Sequence, residues 1–302
     1  MPLNAWISAL RLRTLPLAIS GIASGAAISI HAGHSNAVLT SLCMATAAML
    51  QILSNLANDY GDFSRGTDNN QRVGPERALQ SGRIQPRTML FAIWTTGILA
   101  GGLALLTIGV AFPTELWWEA IGFIGLGAAA LWSAINYTMG KNPYGYAGMG
   151  DAFVGFFFGF VAVIGTSWLH TLAFQPSALG PAIGMAGFSM AVLHMNNMRD
   201  QVGDAASGKI TLAVRFGMAG GKTYHLILIC LGLIGWWTAI GFENVDPLNA
   251  LFWLAPGTLL SIFQALGASM AKNYTSFDGW LKIMVLACLS MAMGFTGLLL
   301  YS

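Results

Sequence analysis

Long apolar runs separated by short polar stretches dominate the 302 residues of this chain. A membrane-spanning helix needs about 20 consecutive apolar residues, and the pattern predicts about nine such helices. Their predicted extents are Leu15 to Ile30, Ala37 to Asn58, Met89 to Ala111, Glu119 to Thr138, Asp151 to Leu169, Ala178 to Met198, Thr223 to Gly241, Leu248 to Met270 and Leu281 to Tyr301.

The composition agrees with a membrane protein. Charged residues make up 9% of the chain and hydrophobic residues 55%, and the mean hydropathy is +0.63. So few charges argue against a soluble domain. We therefore predict an all-α, polytopic membrane protein that forms one transmembrane domain over residues 1–302 and contacts membrane lipid. The net charge of +2 is too small to indicate nucleic acid as a partner.

The basic residues predict the orientation, because cytoplasmic loops are enriched in Lys and Arg. With the N-terminus in the cytoplasm and nine helices, all 14 Lys and Arg residues fall on the cytoplasmic side. The charged residues of the opposite loops are all acidic: Glu115, Glu119, Glu243 and Asp246. Adding or removing an early helix would scatter this pattern, so we expect the C-terminus on the opposite side of the membrane.

A polar stretch follows the second apolar run. It contains Asn55, Asn58, Asp59 and Asp62. Counted from Asn55, Asp59 is at i+4 and Asp62 at i+7, so these three side chains share one face if the helix continues. Crowded carboxylates repel one another unless a cation joins them.

A second polar stretch repeats this arrangement about 140 residues later. Asn196, Asp200 and Asp204 lie at i, i+4 and i+8, and they follow another apolar run. Under the predicted topology both stretches open toward the cytoplasm. Two copies at one side of the membrane predict a single site built from both.

The chemistry of this site follows from its oxygen ligands. An Asp at the centre of a membrane helix costs about 2.5 to 3.5 kcal/mol on insertion scales, so such acids usually have partners or line a wet cavity. Carboxylates with room for water and phosphate are typical of Mg²⁺ sites. The four aspartates Asp59, Asp62, Asp200 and Asp204 are therefore candidate metal ligands. Solvated helix ends are the simpler alternative.

Basic residues lie close to both acidic stretches. Arg77 follows the first, and Arg199 and Lys209 surround the second. Such side chains donate to phosphate oxygens that a metal does not hold, although they also fit residues that only set topology. A diphosphate is the substrate group that fits such a site best, and the apolar helices behind the site indicate a lipid diphosphate. If the lipid is an allylic prenyl chain, Mg²⁺ would stabilise the pyrophosphate as it leaves.

The predicted turn between the fourth and fifth helices is rich in Gly and Tyr. In one interpretation it is a plain turn in which Asp151 caps the next helix, worth about 1 kcal/mol. In the other, Tyr137, Lys141, Tyr144 and Asp151 lie beside a second, aromatic substrate. The sequence does not decide between the two.

Five motifs along the chain are long and jointly specific: Asn55-Leu56-Ala57-Asn58-Asp59-Tyr60-Gly61-Asp62, Gly74-Pro75-x-Arg77, Tyr144-Gly145-Tyr146-x-Gly148-x-Gly150-Asp151, Asn196-Asn197-x-Arg199-Asp200 and Gly208-Lys209-x-Thr211-Leu212-Ala213-Val214-Arg215. The paired aspartate motifs among them resemble those of the UbiA superfamily of intramembrane aromatic prenyltransferases, and the resemblance covers nearly the whole chain. More narrowly, the five motifs are similar to those of the 1,4-dihydroxy-2-naphthoate polyprenyltransferases of menaquinone synthesis.

The resemblance implies Mg²⁺-dependent transfer of a polyprenyl group from polyprenyl diphosphate to 1,4-dihydroxy-2-naphthoate, with loss of CO₂. It also implies a bacterial inner membrane and an active site open to the cytoplasm. By position, the four aspartates would bind the Mg-diphosphate, Arg77, Lys209 and Arg199 would hold the pyrophosphate, and the neighbouring asparagines would ligate or orient: Asn55, Asn58 and Asn196.

Two alternatives remain open at this point. A different acceptor, such as 4-hydroxybenzoate or homogentisate, would keep the chemistry. A divalent-cation transporter could also place acids in a membrane, but it gives no reason for both acidic stretches to lie at one face beside Arg and Lys.

Overall fold

A computed structural model describes residues 3–68, 74, 76–242 and 245–302. All of the regular secondary structure in these ranges is helical. Arg72, Pro75 and Glu243, which the sequence interpretation used, lie outside the described residues. The main helices are α1 (Leu3–Leu10), α2 (Leu15–His31), α3 (Ala37–Ser64), α4 (Pro86–Ala111), α5 (Trp117–Asn136), α6 (Gly150–Val154), α7 (Thr166–Thr171), α8 (Leu179–Ala206), α9 (Leu212–Thr238), α10 (Pro247–Met270) and α11 (Phe277–Tyr301).

Within these ranges, nine helical segments are long and apolar enough to cross a membrane, as the sequence predicted. α1 and α2 together form the first of them. A π-helix over Gly155–Gly165 joins α6 to α7, so these three pieces form one continuous crossing. Such π segments are rare and often occur at functional sites.

The helices that carry the acidic stretches are longer than predicted. α3 continues to Ser64 rather than ending at Asn58, and α8 continues to Ala206 rather than ending at Met198. The acids therefore lie in the last turns of their helices instead of after them. Because a helix fixes spacing, each acid has a defined direction relative to its neighbours.

A break in the first crossing separates α1 from α2. Arg11 at this break has a left-handed backbone, with φ of 48°. A non-glycine residue with positive φ is uncommon and is often found at functional sites. The break lies against α3, where the Asn55 side chain donates to the Leu10 carbonyl at 3.0 Å and to the Thr14 hydroxyl at 3.1 Å.

α8 and α9 pack against each other through small residues. A Cβ added at Gly187 would lie 2.7 Å from the backbone nitrogen of Gly232. Such close approach is typical of membrane helices, in which small residues allow dense van der Waals packing. This closely packed pair includes the helix that carries the second acidic stretch.

α3 is held beside the predicted turn after α5 in a similar way. At Gly61 an added Cβ would lie 2.7 Å from the carbonyl carbon of Thr138. The Thr138 hydroxyl donates to the Ala57 carbonyl at 3.1 Å. These contacts bring the tyrosines of the turn to the last turns of α3.

Candidate active site

One large cavity of about 620 Å³ runs from the acidic stretches into the apolar interior. Its polar end is formed by charged and amide side chains, and its other end by apolar side chains of the π-helix and of α2 to α5. The polar lining includes Arg11, Asn55, Asn58, Asp62, Arg77, Tyr137, Tyr144, Asn196, Arg199, Asp200, Asp204 and Lys209. The structure thus brings most of the predicted site residues to one cavity.

Asp62 lies at the centre of the polar end, and its side chain is 4% exposed. The Tyr146 hydroxyl donates to Asp62 Oδ1 at 3.0 Å and lies 2.6 Å from the Thr67 hydroxyl. The Asn58 amide is oriented so that its oxygen accepts from Arg11 at 3.1 Å and its nitrogen donates to Asp62 Oδ2 at 3.0 Å. These bonds fix the direction of both carboxylate oxygens.

Lys209 joins the two acidic stretches. Its Nζ atom lies 3.4 Å from Asp62 Oδ2 on α3 and 3.6 Å from Asp204 Oδ1 on α8. Its backbone is tied down as well, because the Lys209 N–H donates to the Asp204 carbonyl at 2.8 Å. Gly208, with φ of 76°, supplies the left-handed turn that ends α8 and makes this bond possible.

Aromatic rings enclose the ammonium of Lys209. Its Nζ lies 5.5 Å from the ring centre of Tyr146 and 6.0 Å from that of Tyr137. Burial opposes the charge on Lys209, but the attraction of Asp62 and Asp204 outweighs burial and raises the lysine pKa. Burial also raises the pKa of both tyrosines, so their hydroxyls stay protonated at neutral pH.

Asp59 has a different environment from Asp62. It is 1% exposed, forms an ion pair with Arg11, and lies 3.1 Å from Arg77 Nη1. Within the described residues, Asp59 is not part of the cavity lining. The predicted role of Asp59 as a metal ligand stays a prediction, and the geometry gives Asp59 the task of holding two arginines at the cavity.

The second stretch is organised by Arg199, which is 2% exposed. Its guanidinium binds Asp200 through two hydrogen bonds of 2.8 Å. It also donates to Asn196 at 2.7 Å and to Asp278 of α11 at 2.9 Å. Arg199 therefore connects α8 to the last helix and orients Asn196 and Asp200 at the cavity.

The four residues proposed for an aromatic acceptor separate in the structure. Tyr137 and Tyr144 line the cavity. The Lys141 side chain is exposed, and the buried Asp151 is outside the cavity lining, as far as the structure describes it. The Tyr144 ring stacks on Phe153 at 4.0 Å, and burial raises the pKa of Tyr144 to about 12. The stacked rings of Tyr144 and Phe153 thus form a planar part of the cavity wall.

Sequence reasoning assigned no role to three residues that contact the site: Arg11, Tyr146 and Asp278. Two of them could have been found from the sequence: Arg11 is a basic residue shortly before the first apolar run, and Tyr146 belongs to the motif that begins at Tyr144. Asp278 had no such signal, because its contact with Arg199 joins helices 79 positions apart in sequence.

The donor set of the cavity fits magnesium. Among the described residues, no group of three or more His, Cys, Asp or Glu side chains is placed to hold an ion by itself. Mg²⁺ usually binds one or two carboxylates and completes its shell with water and substrate phosphate oxygens. Asp62 and Asp204, which share Lys209, are carboxylates of this kind. The residues therefore fit an ion whose remaining ligands are water and the phosphate oxygens of a diphosphate.

Sequence comparisons identify the family. Residues 17–277 match the model of the UbiA prenyltransferase family. A relative from Escherichia coli (strain K12), named 1,4-dihydroxy-2-naphthoate octaprenyltransferase, is 40% identical over 254 residues, which are 83% of this chain and 80% of the relative. A relative of the same name from Mycobacterium tuberculosis is 42% identical over 232 residues, 76% of each chain.

Two solved structures share the fold. One is the apo structure of a UbiA homolog from Aeropyrum pernix K1, with a TM-score of 0.69 and 12% identity, covering 94% of this chain and 97% of the other. The other comes from work on a digeranylgeranylglyceryl phosphate synthase in membranes, with a TM-score of 0.64 and 16% identity over 99% of both chains. The fold, the cavity and these relatives together show that the chain belongs to the UbiA prenyltransferase family and is a transferase.

Proposed function

We propose that this protein transfers a polyprenyl group from polyprenyl diphosphate to 1,4-dihydroxy-2-naphthoate, with loss of CO₂, in menaquinone synthesis. One observation carries the proposal. Relatives 39–42% identical to this chain, from three bacteria, bear the name 1,4-dihydroxy-2-naphthoate octaprenyltransferase. A cavity that is acidic and basic at one end and apolar at the other supports the same reaction.

The polar end is proposed to bind the diphosphate. Asp62, Asp204 and Asp200 would hold magnesium, with Asn58 and Asn196 beside them. Bound Mg²⁺ supplies positive charge that stabilises the pyrophosphate as it leaves. Arg77, Arg199 and Lys209 would donate to the remaining phosphate oxygens, since guanidinium and ammonium groups form strong charge-assisted bonds with phosphate.

The apolar end is proposed to hold the prenyl chain. Side chains of α5 and of the π-helix line it without charge, among them Phe123, Phe157 and Val161. These walls exclude water from the allylic carbon once its bond to the diphosphate breaks. Exclusion of water matters because a carbocation would otherwise be captured by water instead of by the acceptor ring.

The aromatic acceptor is proposed to lie against Tyr137 and Tyr144. Both rings line the cavity. The Tyr144 hydroxyl is held by Ser133, with the two hydroxyl oxygens 2.8 Å apart. A ring fixed in this way offers a flat face on which a naphthoate stacks, as aromatic rings prefer offset or edge contacts.

We also propose that the site opens to the cytoplasm of a bacterial inner membrane, with the N-terminus inside. Connections that carry basic residues contact one another near the acids. Arg65 donates to the Gly140 carbonyl at 2.6 Å, and Arg215 to the Ala147 carbonyl at 2.8 Å. Basic residues gathered on one side indicate the cytoplasmic face.

Product analysis of the purified protein in detergent tests the reaction. The assay supplies 1,4-dihydroxy-2-naphthoate, a polyprenyl diphosphate and Mg²⁺. We expect a prenylated naphthoquinol that lacks the carboxyl group, and its loss when Mg²⁺ is chelated. Asp62→Asn and Asp204→Asn should lower product formation. Glu119→Gln, which changes an exposed acid at the start of α5 outside the cavity lining, is their matched control.

The alternatives give different products. Turnover of 4-hydroxybenzoate or homogentisate, but not of the naphthoate, would keep the mechanism and change the acceptor. Metal flux through reconstituted protein without any prenylated product would support a divalent-cation transporter. No product from any acceptor, with folded protein, would overturn the proposed function.

A further inference from the structure

One lysine contacts the last acid of each acidic stretch. Lys209 is 6% exposed, and its ammonium faces Asp62 of α3 and Asp204 of α8 together. These two acids come from different helices and would repel each other across the cavity without a cation. Lys209 is the cation that lies between them.

The two contacts are long. Charge-assisted hydrogen bonds between an ammonium and a carboxylate usually measure about 2.7 to 2.9 Å, whereas Lys209 lies 3.4 Å and 3.6 Å from its partners. The ammonium is thus shared between both acids and held closely by neither. A side chain on a flexible stem that makes two loose contacts can turn to a better partner.

The backbone of Lys209 is fixed, so only its side chain is free to turn. Its N–H donates to the Asp204 carbonyl at 2.8 Å, and the next residue, Ile210, donates to the Tyr146 carbonyl at 3.1 Å. Tyr146 also holds the Asp62 carboxylate. The lysine therefore stays within reach of both acids and of any phosphate that the acids help to bind.

We propose that Lys209 competes with free divalent metal for Asp62 and Asp204, so that the metal binds only together with a diphosphate. The inference rests on the proposed function, since it assumes a diphosphate substrate. Metal alone would have to displace a buried ammonium and leave it without a counter-ion, which is unfavourable. A diphosphate removes this penalty because its oxygens accept the displaced lysine while they complete the metal's ligand shell.

Equilibrium dialysis of the full chain in detergent tests whether metal binding depends on a diphosphate. Mn²⁺ replaces Mg²⁺, and protein-bound Mn²⁺ is measured with and without inorganic pyrophosphate. We expect wild-type protein to bind Mn²⁺ weakly alone and roughly tenfold or more tightly with pyrophosphate, because a nearby buried charge changes ion affinity by at least this factor.

Substitution of Lys209 tests whether this lysine lowers the affinity for free metal. Lys209→Met should bind Mn²⁺ alone roughly tenfold or more tightly than wild type and should lose most of the enhancement by pyrophosphate. Adding Asp62→Asn to Lys209→Met should return the affinity to a low value. Lys141→Met is the matched control, because the Lys141 side chain is exposed and does not line the cavity.

Equal binding of free Mn²⁺ by wild type and Lys209→Met would overturn the proposal. If Lys209→Met does not fold, the wild-type measurements decide: tight binding of Mn²⁺ alone that Asp62→Asn abolishes would contradict it, and binding that needs pyrophosphate would support it. Neither arm uses a prenyl chain or an acceptor. A failure here with normal product formation would therefore leave the proposed function standing.

Discussion

The two acidic stretches are alike in sequence but differ in how the fold uses them. Each has an Asn, an Asp four residues later, and a further Asp about one turn beyond, at the end of a helix of 28 residues. The last acids, Asp62 and Asp204, have the same partner, because both contact Lys209. The similarity of the two stretches therefore holds at the centre of the cavity.

The first acids of the two stretches, Asp59 and Asp200, differ in their exposure and in their partners. Asp59 has a side chain 1% exposed and pairs with arginines from two other segments, Arg11 and Arg77. Asp200 is 12% exposed, lines the cavity, and pairs with its own neighbour Arg199. The comparison teaches that a repeated spacing fixes which side of a helix an acid occupies, whereas the surrounding helices decide whether it binds ligand or supports structure.

The largest effect is expected where the two stretches agree. Asp62→Asn and Asp204→Asn each remove one charge from the shared site, and we expect either to lower kcat for prenyl transfer about a hundredfold or more. Steady-state kinetics with saturating Mg²⁺ measure this. If one of the two variants kept full activity, the acids would not act as a pair.

The next largest effect is a difference in stability between variants of Asp59 and Asp200, the first acids of the two stretches. Asp59→Asn removes the carboxylate that Arg11 and Arg77 share, although Arg77 keeps a longer contact of 3.9 Å to Asp68. Because both arginines are nearly buried, the change should lower the free energy of unfolding by about 3 kcal/mol. Asp200→Asn should cost about 1 kcal/mol, since Arg199 keeps Asp278 and Asn196. Chemical unfolding in detergent compares the two. A larger loss of stability in Asp200→Asn would reverse the assignment of their roles.

A smaller effect is expected at the contact that only the second stretch has. Asp278→Asn weakens the link between Arg199 and α11, and the Asp278 side chain is 30% exposed. Partly exposed ion pairs contribute about 1 kcal/mol or less, so KM for the diphosphate should rise by roughly fivefold at most while kcat changes little. An unchanged KM would show that Asp200 and Asn196 position Arg199 without Asp278.

The smallest effect concerns a contact made to the first stretch. Tyr146→Phe removes the hydrogen bond to Asp62 and should cost about 1 kcal/mol at neutral pH. Burial and the nearby Asp62 raise the pKa of Tyr146 above its ordinary value of 10, so the folded protein resists its ionisation. Its contribution is present below about pH 10 and is lost as the pH rises through the raised pKa.

Unfolding measured across this range tests the sign. The difference in stability between wild type and Tyr146→Phe should stay constant up to about pH 10 and shrink above it. A difference that grows with alkaline pH would mean that the folded state favours the ionised tyrosine.

Local sequence determined a large part of the fold. Nine apolar runs predicted nine crossings, the described residues contain nine helical segments long and apolar enough for this, and α10 ends at Met270, as predicted. Spacing placed Asp200 and Asp204 on one helical face, and both line the cavity. These features follow from hydropathy and helical period, which depend only on residues close in sequence.

Tertiary structure alone decided the partners. Lys209 and Asp62 are 147 positions apart, and Arg199 and Asp278 are 79 apart. It also turned the Lys141 side chain to the surface and kept Asp59 out of the cavity lining, within the described residues. Which charges meet depends on which helices become neighbours, and that is set by the packing of whole helix faces, such as the glycine contacts of α8 with α9, rather than by local spacing.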